Sequence, residues 1–146
     1  MKKFVLAVAF ALAGMMTYGQ GAGKILGTWI TQDGDSKVTI KQDQSGKFYG
    51  EIIWLKDPNK NGKPKVDDKN PEASMRNRQI LGLRILSGFT FDKGDSQWED
   101  GTIYDPKSGK TYSCKMWFEK DPKTLHVKGF IGVSLIGKEV KWTRES

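Results

Sequence analysis

The sequence predicts an all-β fold, an antiparallel up-and-down barrel of about eight strands. Three observations carry this expectation. Apolar side chains recur at every second position in run after run, the period of a sheet with one buried face. Turn chemistry separates the runs, as in Gln44-Ser45-Gly46, Asp92-Lys93-Gly94-Asp95, Asp105-Pro106-Lys107-Ser108-Gly109 and Asp121-Pro122. Most connections are short, which favours pairing between strands that follow one another in the chain. An open two-sheet sandwich is the alternative.

The first strand is expected at residues 26–32 and the second at 36–43, where Val38 and Ile40 alternate with Lys37, Thr39 and Lys41. Phe48, Gly50, Ile52 and Trp54 form one face of the third, 47–55. The chain from Lys56 to about Ile80 is too long for a hairpin turn, and loops of that length are usually functional or structured. Asn70 suits an N-cap, Pro71 the first helical position and Glu72 the positive end of the helix dipole. A short helix from Pro71 to about Asn77 is therefore expected at the barrel mouth. Further strands follow at 81–91, 96–104, 110–119, 123–131 and 136–144. In them Tyr112, Cys114, Met116 and Phe118 share a face, as do Leu125, Val127, Gly129 and Ile131, and then Val140 and Trp142.

The N-terminal residues 1–19 read as a signal peptide, leaving residues 20–146 as a single barrel domain. Met1-Lys2-Lys3 is basic, Phe4 to Met16 is apolar, and Thr17-Tyr18-Gly19 precedes a cleavage point before Gln20. The apolar stretch is short for a membrane span and no later segment approaches one. An exported protein, periplasmic or secreted, is the expectation. Removing the leader lowers the formal charge from +7 to +5.

Composition excludes several classes of function. One Cys among 146 residues precludes an internal disulfide, and one His precludes a two-His metal site. Lysines are spread along every strand and turn without a clustered patch, so nucleic acid is not an expected partner. Contact with an anionic envelope surface is consistent with the basic balance.

No catalytic motif is complete. Gly132 to Lys138 has phosphate-loop spacing, but Glu139 replaces the hydroxyl residue and the segment lies between two expected strands. Ser134 is one residue out of step with a nucleophile elbow. His126 shares a face with Lys128, opposite Leu125 and Val127, and is expected to be solvated. Cys114 is expected to be a buried small hydrophobe.

Two candidate sites remain. Asp57, Asn59, Asn61 and Asp68 occupy calcium-loop positions around Gly62, with oxygen ligands at alternate residues before the turn. Pro64, the short Asp68 side chain and Lys60, Lys63 and Lys65 oppose that reading, and a polar turn capped by its own Asp and Asn is the alternative. No cofactor other than this calcium candidate is indicated. The second site is for an anion: Arg76 and Arg78 would hold the head of an amphipathic ligand, with its tail among Trp54, Phe89 and Phe91 and Tyr104 nearby. The alternative pairs the two Arg with Glu72, Asp67 or Asp68 to pin the loop. Trp29, Trp54, Phe89, Phe91, Tyr112, Phe118 and Trp142 either line a cavity or fill the barrel, and filling is the expectation for a short barrel.

The ordered string Gly27-x-Trp29, Gly50-Glu51-Ile52-Ile53-Trp54-Leu55, Asp67-x-x-Asn70-Pro71, Arg76-x-Arg78, Gly82-Leu83, Gly101-x-Ile103-Tyr104-Asp105-Pro106, Gly109-Lys110-x-Tyr112, Gly129-x-Ile131-Gly132 and Trp142-x-Arg144 resembles the bacterial exported family called domain of unknown function 2147. Its opening Gly-x-Trp resembles the signature of lipocalin-type barrels, in which the Trp plugs one end. The resemblance implies a small lipocalin-like barrel in the cell envelope and brings no established activity. Many relatives carry Cys beside the glycines matching Gly50 and Gly82; Tyr49 and Leu81 stand there in this chain.

Three functions follow as expectations. The first is a barrel holding a small apolar or amphipathic ligand beneath the loop. The second is an envelope interaction protein with a solid barrel, and the third an enzyme built on Asp67, Arg76, Arg78, Tyr104 and Asp105.

Overall fold

The computed structural model describes residues 21–132 and 136–146. The leader expected at residues 1–19 and Ser134 lie outside the described residues.

The barrel strands are β1 (Gly27–Ile30), β2 (Ser36–Gln42), β3 (Phe48–Leu55), β6 (Arg84–Asp92), β7 (Gln97–Asp105), β8 (Lys110–Phe118), β9 (Thr124–Ile131) and β10 (Ile136–Arg144). They close in the order β1-β10-β9-β8-β7-β6-β3-β2. Every barrel pairing is antiparallel, and β1 against β10 completes the ring. Closure leaves the barrel sheet no free edge among the described residues. Between β3 and β6, β4 (Asn59–Lys60) and β5 (Lys63–Pro64) form a separate hairpin.

The expected runs correspond to these barrel strands. The fourth begins later than expected because residues 81–83 are used in a turn against β3. There Gly82 N–H donates to Ile52 O at 2.8 Å and Ile52 N–H to Leu83 O at 3.0 Å.

The helix expected from Pro71 to Asn77 does not form, and a 3-10 turn over Ala73–Met75 takes its place. Glu72 is extended at φ −86 and ψ 112, outside the helical region. The carbonyls a first helical turn would use are taken by Arg76, whose Nε donates to Asn70 O at 2.7 Å and Nη2 to Pro71 O at 3.3 Å. Asn70 Oδ1 accepts from Glu72 N–H at 2.8 Å, the short-range turn that Asn makes when it competes with helix. The described residues contain 3-10 turns and no α-helix.

One end of the barrel is packed shut. The turn Ala22–Ile25 lies across it. Trp29 Nε1 donates to Ile25 O at 3.0 Å and Trp98 Nε1 to Ala22 O at 3.1 Å. Trp98 meets Phe48 and Phe118 edge to face at 6.5 and 5.6 Å. The Arg144 guanidinium lies 4.2 Å from the Trp29 ring centroid and donates to the carbonyls of Leu26 and Lys24. Gly101 makes room for this packing: a Cβ there would fall 2.4 Å from the Phe89 ring. Trp29 is thus the plug that the Gly27-x-Trp29 resemblance implies.

Candidate functional site

At the other end the barrel is hollow. A cavity of about 1770 Å³ opens at the mouth formed by the β1–β2, β3–β6 and β7–β8 connections. Its wall includes Ile52, Ile85, Ile103, Val127, Val140 and Trp142. Gly129 faces the same space, where a Cβ would meet Tyr112 and Ile103 at 3.4 and 3.5 Å. The expected filled interior is therefore corrected: aromatic side chains fill one half and leave the other open. The rings of Trp29, Trp98, Phe48, Phe89 and Phe118 gather where the turn Ala22–Ile25 gives the two Trp carbonyl partners, while branched residues line the open half together with Tyr104, Tyr112 and Trp142.

The connection over the mouth is organised around Asp67, which is fully buried. Its Oδ1 accepts from Tyr104 Oη at 2.7 Å. Its Oδ2 accepts from Asn70 Nδ2 at 2.8 Å and faces Arg78 Nη2 at 3.4 Å. Asp67 N–H donates to Arg78 O at 2.8 Å, and Val66 bridges to Gln79 beside it. The carboxylate is thus fully partnered, the condition under which a buried charge is tolerated. Burial, and then the hydrogen bond to the Asp67 carboxylate, push the Tyr104 phenol up to about 12.

A second anchor is steric. Gly109, at φ +75, passes so close to the connection that a Cβ would lie 1.9 Å from Lys69 O. From the same turn Lys107 Nζ donates to Asp35 Oδ2 at 2.7 Å, and this bond holds the Asp35 carboxyl below its usual range.

The sequence candidates are placed as follows. Arg76 is spent on the carbonyls of Asn70 and Pro71, and Arg78 on Asp67, the anchoring arrangement offered as the alternative. Neither Arg lines the cavity. Tyr104 does line it, whereas Phe89 and Phe91 belong to the packed end, Phe91 lying 4.8 Å from the Trp98 ring. Trp54 is exposed on the outside, under the Lys37 ammonium at 5.1 Å. The register of β2 on β3 shifts between Lys37 and Val38, pairing Lys37 with Trp54 but Val38 with Ile52. That bulge turns Trp54 out of the face it shares with Ile52 on paper.

The calcium-loop pattern serves another geometry. Asn59 pairs with Pro64 and Lys60 with Lys63, so the segment is a two-residue hairpin. Asn61 and Gly62 have φ 54 and φ 77, as the tight turn between twisted strands requires. Asp57, Asn61 and Asp68 lie along the cavity rim, and Asn59 is in the hairpin ladder.

Of the residues proposed for enzyme chemistry, Asp67, Arg78 and Tyr104 converge, in a clamp around the buried Asp67 carboxylate. Asp105 accepts from Lys107 N–H and Ser108 Oγ within its own turn. Cys114 is buried, which pushes its thiol up to about 12 and keeps it from thiolate chemistry.

His126 corrects the expectation of a solvated ring. It is on the outer face as expected, but buried. Trp117 stacks on it at 5.4 Å, and its Nδ1 and Nε2 face Glu139 at 3.1 Å and Glu119 at 3.2 Å. These neighbours come from β8, the following turn and β10. No helix among the described residues is long and apolar enough to cross a membrane.

A family model described as "Uncharacterized protein conserved in bacteria (DUF2147)" matches residues 27–144. Among solved structures, protein HP1028 from the human pathogen Helicobacter pylori, described as belonging to the lipocalin family, is similar with a TM-score of 0.70. The two sequences are 28% identical, and the match covers 84% of this chain and 83% of that one. No curated protein matches.

Proposed function

The chain belongs to the DUF2147 family of conserved bacterial proteins, and from that premise we propose that it is an exported binding protein for a small apolar or anionic amphipathic ligand. The observation that carries the proposal is the cavity of about 1770 Å³, walled inside the barrel by aliphatic and aromatic side chains and open between polar connections. Most ligand sites share this make-up, an apolar concave wall with a few polar groups at its edge. The likeness to lipocalin-family HP1028 supports the same reading. The clamp on Asp67 favours binding over catalysis, since its carboxylate is buried and committed to holding the connection in place.

Export rests on the basic, apolar and small-residue order of residues 1–19. An envelope location would suit a carrier that shields an apolar molecule from water.

Native mass spectrometry of protein purified from its own envelope tests both parts. The expected spectrum shows a chain beginning at Gln20 that retains a small molecule, released when the barrel is unfolded. A chain still starting at Met1 would overturn export. Protein that is empty from its own envelope and takes up no amphiphile when supplied with one would overturn the binding function.

A further inference from the structure

The hairpin on the rim carries an unusual charge arrangement. Lys60 and Lys63 are register partners, on the same side of a two-residue hairpin. The ladder continues one step, with Lys65 N–H donating to Pro58 O at 3.0 Å, which puts Lys65 on the side of Lys63. All three lysines line the cavity mouth. Like charges directly opposite one another oppose strand pairing. Among the described residues none of the three takes part in an ion pair.

Acids do lie on the rim, and they are placed differently. Asp35 is paired with Lys107, and Asp105 holds its own turn. Asp33, Asp57 and Asp68 line the mouth without bonding to the hairpin lysines. The lip made by the hairpin is therefore cationic, while the β1–β2 turn beside it, whose Asp35 O accepts from Lys56 N–H at 2.9 Å, is acidic at Asp33 and Asp35 with Lys107 bound to it. Arg76 and Arg78, the cations with the geometry for a two-pronged grip, are spent elsewhere. Ammonium groups on flexible stems can gather around an anion without a fixed fork.

We propose that Lys60, Lys63 and Lys65 form the head-group site of the cavity, and that its ligand is an amphiphile ending in a phosphate or carboxylate. This rests on the cavity-binding function and names the chemical class it serves. The anion would sit among the three ammonium groups, relieving their mutual repulsion, while the apolar tail extends along Ile103, Val127 and Val140.

The test is displacement of a neutral fluorescent reporter, N-phenylnaphthylamine, by dodecyl phosphate, dodecanoate, dodecanol and inorganic phosphate. Wild-type protein is expected to prefer the two anionic amphiphiles over dodecanol by roughly tenfold or more, with the preference shrinking as salt rises. Lys60→Gln/Lys63→Gln/Lys65→Gln is expected to bind dodecanol as wild type does and to lose the preference. Retained dodecanol binding also shows that the variant barrel is intact. Equal binding of dodecanol and dodecyl phosphate by wild type, or a preference that survives the triple substitution, overturns the head-group site and leaves the cavity function standing. Inorganic phosphate binding as tightly as dodecyl phosphate overturns the amphiphile in favour of a free anion. Absence of displacement by every compound overturns the head-group site and the cavity function together.

Discussion

The phenol of Tyr104 donates a 2.7 Å hydrogen bond to the buried carboxylate of Asp67, joining the end of β7 to the connection that crosses the barrel mouth. The bond links a wall residue of the cavity to the hub of its cover. Replacing Tyr104 with Phe leaves Asp67 short of a partner in a buried setting, at a cost of about 1–3 kcal/mol. Denaturant unfolding of Tyr104→Phe checks the loss.

The same bond sets a pH dependence. Tyr104 is raised from 10.0 to about 12 in the folded protein, so the fold favours the protonated phenol. Its contribution is fully present below about pH 10, the ordinary tyrosine range, and is lost as pH rises toward 12. Absorbance titration should show one phenolate step near 12 that disappears in Tyr104→Phe. A wild-type curve without that late step would contradict the clamp.

Gly109→Ala tests the steric anchor. The substitution strains a position at φ +75 and drives a Cβ into Lys69 O, so the connection must move away from the β7–β8 turn. Hydrogen exchange should speed up at the amides of Asp67, Asn70 and Ile80, which are bonded within the connection. Exchange in the strands of the packed end should stay slow. Unchanged protection at those amides would show that the close approach does not hold the connection.

Two of the tryptophans expected to face the barrel interior should behave oppositely. Trp29 is fully buried and Trp54 is 40% exposed. Trp29→Ala is expected to cost about 3–5 kcal/mol, as for other buried large aromatics. Trp54→Ala is expected to stay within about 0.5 kcal/mol, as for a surface site. Thermal or denaturant melts of both variants separate the two cases, and comparable losses would contradict the bulge.

The strands were legible because a barrel wall imposes a period of two, and Val38, Ile40, Leu125 and Val127 obey it throughout. Trp54 was misread because a bulge breaks the period at the point where β3 leaves the wall, and nothing local in Ile52-Ile53-Trp54 marks the extra residue. Around Asn70 the capping signals were real but were outcompeted: Arg76 took the carbonyls that a helix needs. His126 was assigned to its correct face, while its burial depends on Trp117, Glu119 and Glu139 arriving from other parts of the chain. The cavity wall was visible only as an inner face. Ile103 and Val127 have the same pattern as packed core residues, and the hollow half is decided by which end the Ala22–Ile25 turn seals.

Function turns on the hollow half of the barrel, and filling that space tests it. Gly129 faces the hollow half, so Gly129→Phe should insert a ring there while leaving the packed end untouched. The measurement is titration of wild type and Gly129→Phe with N-phenylnaphthylamine, read by reporter fluorescence, alongside the melting temperature of each. Wild type is expected to show saturable uptake, and Gly129→Phe at least about tenfold weaker uptake at a comparable melting temperature. No uptake by wild type, or equal uptake by both proteins, would contradict the cavity function.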